Sequence, residues 1–175
     1  DLKLFISPEH ARSLALVNYL GLWETYDDWK HKLIKLIEEN TPEYSLWDFS
    51  SINSITSEPF PNYGDKNTQM QGYWESSQYK QKIGDIILQK ILLSKSEKKI
   101  PPEDFGIQVS AENIKTWLKT CRNQHDKYFQ NNTGLFQEFK TMLSDTAFNR
   151  RQLLQSNKHL EPLDFFRKSD SKGHP

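Results

Sequence analysis

Cysteine is almost missing from this chain of 175 residues, with Cys121 the single one. An internal disulfide and a cysteine-based zinc cluster are thereby excluded. Valine is nearly as scarce, at Val17 and Val109, which counts against an all-β fold. Net charge is lacking too. Lys plus Arg and Asp plus Glu both number 23, so no bulk field draws the chain to nucleic acid or anionic lipid. No apolar run approaches the roughly 20 residues of a membrane-spanning helix, and the first residues do not read as a signal peptide. The chain opens on Asp1 rather than Met, which leaves room for a preceding segment. What is present suffices for a core. Leu, Ile, Val and Phe make up about a quarter of the residues, above the roughly 20% typical of disordered chains.

Residues 2–6 form a short apolar run stopped by Ser7-Pro8, the pattern of a buried strand. Ser7 can cap a helix that starts at Pro8. Thr25 and Asp28 then open an amphipathic helix marked by Trp29, Leu33, Leu36 and Ile37. Residues 44–49 resemble a second strand, and strand–helix–strand order predicts a parallel pair with the helix near 26–39 packed across it. The stretch 50–72 is polar and long for a loop in a compact domain, which points to function or disorder. A helix is expected from Ser76 to Leu93. The charged segment 95–104, with Pro101-Pro102, is a plausible boundary. Beyond it the periodicity reads as wholly helical, with Ser110 as a cap, and residues 157–175 read as an extended tail containing Glu161 to Phe166. The expected organisation is thus an α/β piece over 1–100, a helical extension over 101–156 and the tail.

Ligands of open parallel sheets bind beyond the carboxyl ends of the strands. Ser7 and His10 follow the first strand, and Asp48 ends the second. Each has a plainer reading, as a helix cap or a loop-entry turn bonding its own backbone. Glu75 lies three residues before Gln78, a spacing at which an acid can orient a base, but a Gln side chain takes no proton at neutral pH. Cys121 and His125 sit four apart on one helix, and two ligands do not make a metal site. The aromatic stripe of Trp117, Tyr128, Phe136 and Phe139 reads as core or as an interaction surface. Two parallel strands do not make a stable sheet alone, so another polypeptide, a partner subunit or the chain's own N-terminal half, is expected to complete it.

Leu4-Phe-Ile-Ser-Pro-Glu-His-Ala11, Gly21-Leu-Trp23 with Trp29-Lys30, Leu46-Trp-Asp-Phe-Ser50, Asn53-Ser-Ile-Thr56, Tyr73-Trp-Glu-Ser-Ser77 with Gly84-Asp85, and Phe105-Gly106 occur in this order. Over residues 2–128 the series resembles the C-terminal half of a family of bacterial proteins related to SGNH hydrolases. The resemblance implies a flavodoxin-like sheet with flanking helices, a Ser nucleophile near the start of the whole fold, and an acid-x-x-His motif near its end. By position Glu75 matches the acid and Gln78 the His. Neither Gly-Asp-Ser nor Gly-Ser-Ser occurs in the chain, so the nucleophile block is absent and the base is replaced. Ser attack needs both.

The expectation is therefore a degenerate, non-catalytic SGNH-like module for protein interaction or complex assembly. Glu75, Gln78, His10, Asp48 and Ser7 are its vestigial site, with no cofactor and no metal. The alternative is the C-terminal part of an esterase or acyltransferase acting on cell-envelope carbohydrate, its Ser on a preceding segment. The compartment stays open between the cytoplasmic and periplasmic faces of a bacterial envelope.

Overall fold

The computed structural model describes residues 2–62, 64–92 and 102–156, the last helix by its backbone alone beyond residue 146. The chain divides into two compact units, Asp1–Phe139 and Lys140–Pro175. In the first, β1 (Leu4–Ile6), α1 (Ala11–Tyr19), α2 (Trp23–Asn40) and β2 (Leu46–Asp48) come in order. They are followed by a hairpin, β3 (Tyr73–Glu75) and β4 (Gln78–Tyr79), then α3 (Gln81–Leu92), β5 (Ile107–Val109) and α4 (Ile114–Asn131). Helix α5 (Leu135–Ser156) starts in the first unit and supplies the described part of the second. There Ser144 and Thr146 donate their hydroxyls back to the carbonyls of Thr141 and Met142.

The protein is mixed α/β. Strands β1 and β2 are parallel neighbours in the register Leu4 to Leu46 and Ile6 to Asp48. Strand β5 joins the far side of β2 antiparallel, with Leu46 opposite Val109. Residues 107–109 thus correct the reading of a wholly helical run after Pro102, and the sheet is not purely parallel. Among the described residues β1 is an edge strand.

Side chains of a strand alternate between its faces. Ile6, Leu46 and Val109 meet Ile34 and Ile37 of α2 and Ile114, Trp117 and Leu118 of α4 on one face. On the other, Phe49, just past β2, meets Phe105, Ile83 and Ile87 of α3, and Tyr73, with Trp47 packed alongside. Gly106 lets β5 approach there. Its φ is +76°, and an added Cβ would lie 2.2 Å from the Phe49 ring.

Local boundaries shift from those expected. His10, not Ser7, caps α1. Helix α2 begins at Trp23 with no side-chain cap, ahead of Thr25 and Asp28. The helix expected from Ser76 begins at Gln81, because residues 73–79 fold back as a hairpin. Asn113, not Ser110, precedes α4, its Oδ1 accepting the Ser110 N–H at 2.9 Å. The tail over 157–175 and the segment 93–101 lie outside the described residues.

Candidate functional site

Two polar clusters form around the carboxyl ends of β1 and β2. The first is built on Asp48, which is fully buried. Its Oδ1 accepts the Ser50 backbone N–H at 2.8 Å and the Ser50 hydroxyl at 2.6 Å. Its Oδ2 accepts Lys30 Nζ and Trp117 Nε1, each at 2.8 Å. Lys30 comes from the inner face of α2 and is 1% exposed. The Tyr26 ring lies 4.8 Å from its ammonium.

Burial alone would raise the Asp48 carboxyl. Lys30 and the bonds from Lys30, Ser50 and Trp117 outweigh it and hold the group below its usual range. Burial would likewise lower Lys30, but Asp48 outweighs it and the ammonium is raised. Both directions keep the pair charged. With four donors on its two oxygens, Asp48 is a structural tie between β2, α2 and α4.

The second cluster centres on His10, also fully buried. Nδ1 accepts the Arg12 N–H at 3.0 Å, so Nε2 carries the hydrogen and donates to the Glu58 carbonyl at 2.8 Å. Burial lowers the pKa of the ring. A neutral imidazole with both nitrogens engaged is a cap and not a free base. The rest of the long polar loop serves this platform. Thr56 O accepts Ala11 N–H at 2.8 Å. Asn53 and Thr56 bond each other's backbone, and Glu58 carboxylate oxygens accept Gln71 and Gly72 N–H groups.

The hairpin docks onto the same platform. Ser76 O accepts His10 N–H at 2.9 Å and the Ser13 hydroxyl at 3.0 Å. Glu75 and Gln78 stand opposite each other on its two strands, exposed to solvent. Glu75 Oε1 accepts the Ser77 hydroxyl at 2.5 Å. Ser7 is exposed as well. The hairpin is therefore close to His10, while Asp48 belongs to the separate buried cluster.

Beside the platform Arg12 is nearly buried. Its guanidinium lies 4.6 Å from the Phe60 ring and 5.2 Å from Phe139 and donates to Glu138 Oε2 at 2.6 Å. An open cleft of about 490 Å³ lies between Arg12, Glu58, Phe60, Tyr128 and Glu138. A second, of about 440 Å³, is lined by Arg12, Phe60, Trp74, Glu75 and Lys80.

The aromatic stripe divides. Trp117 and Phe139 are buried within the chain, 8% and 1% exposed, which makes them core and not an interaction surface. Tyr128 is half-buried, and Phe136 is exposed with its ring 5.1 Å from Tyr19. His125 packs its ring 4.7 Å from Trp23, and burial pushes the Cys121 thiol up to about 12, leaving it unreactive.

In the sequence Arg12, Glu58 and Glu138 carry no assigned role, and Lys30 carries none beyond its place in the Trp29-Lys30 motif. Lys30 had a signal. It falls in register with the core residues Trp23, Ile34 and Ile37, and a lysine at a core position of an amphipathic helix calls for a buried acid. No protein-family model matches the chain, and no curated protein or solved structure matches it.

Proposed function

We propose that the chain is a non-catalytic, SGNH-like module of flavodoxin-like descent that serves in protein interaction or complex assembly. The observation that carries this reading is the state of the two side chains that would have to act as a base. Gln78 cannot take a proton, and His10 spends both ring nitrogens on Arg12 and Glu58. Support for assembly comes from the sheet, whose β1 edge is unpaired among the described residues, with Leu2 and Phe5 exposed beside it. Unpaired edges with apolar flanks are sites where another strand adds.

The test is turnover of a chromogenic acetyl ester by the wild-type chain, Gln78→His and Glu75→Ala. All three are expected to be inactive, since restoring the imidazole supplies no nucleophile. Wild-type turnover that disappears in Glu75→Ala overturns the reading in favour of an esterase.

A further inference from the structure

Helix α2 carries apolar side chains on two faces. Trp23, Ile34 and Ile37 are buried. Leu22, Tyr26, Trp29, Leu33 and Leu36 follow at alternating intervals of four and three residues, the repeat by which two helices pair along a seam. Three of them stay open, with Leu22 47%, Trp29 45% and Leu36 59% exposed. Leu33 packs against the core cluster, as do Leu4 of β1 and Ile107 of β5. On the other flank of α2, Asp27 pairs with Arg122 of α4 at 3.1 Å.

We infer that this surface joins two copies of the chain about a two-fold axis, with α2 antiparallel to the other copy's α2. The inference rests on the interaction-module reading and names its partner.

A two-fold contact requires a surface that matches itself after rotation. Leu22 and Leu36 are equally far from Trp29 in sequence. In an antiparallel pair centred there, Trp29 faces Trp29 and each Leu22 meets a Leu36. Tyr26 and Leu33 share nearly the same midpoint. The charges agree. Asp28 and Lys32 are exposed, lie on the solvent flank of the seam, and have their midpoint at residue 30. One axis therefore closes the apolar seam and brings each Asp28 to the other copy's Lys32. From Leu22 to Leu36 the seam is about 21 Å long.

Sedimentation equilibrium of the full chain tests this. A dimer is expected, reduced to monomer by Trp29→Glu and by Leu36→Glu while circular dichroism stays as in the wild type and thermal unfolding matches that of wild type diluted to monomer. Asp28→Lys and Lys32→Asp should each weaken the dimer about tenfold, and the double exchange should restore it to within about twofold, because only like-charge contacts are penalised. A wild-type monomer, a dimer indifferent to both seam glutamates, or a double exchange no better than the singles overturns the inference. Ester hydrolysis on the same samples separates it from the reading beneath. An inactive monomer removes the dimer and leaves the non-catalytic module standing, whereas an active dimer does the reverse.

Discussion

The two flanks of α2 invert the usual distribution of residue types. Its inner face buries a lysine at 1% exposure, and its outer seam leaves a tryptophan 45% exposed. The difference lies in the neighbours. Lys30 meets Asp48, held in turn by Trp117 and Ser50, so the cost of removing two charges from water is offset by contacts on both. Trp29 stacks on the Tyr26 ring at 5.7 Å and is otherwise open to solvent. Burial here follows what lies opposite a side chain as much as what the side chain is.

Removing one member of the buried pair should produce the largest effect. Lys30→Met leaves an uncompensated carboxylate in the core and should cost about 3–5 kcal/mol in urea unfolding. Adding Asp48→Asn to Lys30→Met removes that charge and should recover part of the loss. If Lys30→Met alone is neutral, the inner flank is not held by charge.

Gly106→Ala probes the opposite face of the sheet. A methyl would lie 2.2 Å from Phe49 at a φ of +76°, so overpacking and backbone strain together should cost about 2–4 kcal/mol. Calorimetric unfolding of the variant checks it.

The His10 platform should respond to pH. Its folded pKa is lowered from the ordinary value of 6.5, so the unfolded chain takes up the proton first. The stabilisation is present above about pH 6.5 and is lost as pH falls through that value toward the lower folded pKa. Protonating Nδ1 also breaks the bond from Arg12 N–H. Unfolding curves from pH 7.5 to 5 should show this decline. His10→Asn, which keeps a capping oxygen and cannot titrate, should flatten it at a cost of about 1 kcal/mol.

The outer seam should show the smallest effect on folding. Trp29→Ala is expected to change unfolding stability by under about 0.5 kcal/mol when the chain is monomeric, as at most open surface positions. A loss comparable to that of Lys30→Met would erase the contrast between the two flanks.

Much of the layout is readable from residue order. The run Leu4 to Ile6, the periodicity of α2 and the apolar turn back at residues 46–48 predict a parallel pair with a helix across it, and these are the neighbours found. Other readings failed where several local signals compete. Ser7, Thr25 and Ser110 are good caps by type, yet the helices start beside His10, Leu22 and Asn113. Cap propensities amount to about 1 kcal/mol, and packing of Trp23 or docking of Ser76 on His10 can exceed that. The hairpin over 73–79 was hidden because its residues also suit the first turn of a helix.

By itself the sequence determined the alternation that makes the strands two-faced, the heptad-like seam of α2, and a side chain at Gln78 that takes no proton. Each depends only on residue type and spacing along the chain. Tertiary structure alone decided that Lys30, Asp48 and Trp117 form one buried cluster, that His10 spends both nitrogens on Arg12 and Glu58, and that Trp117 and Phe139 are core. These contacts join residues 18, 69 and 48 positions apart, and no local periodicity carries information across such separations. A side chain's protonation and availability are set by the atoms that surround it, and those atoms come together only when the chain folds.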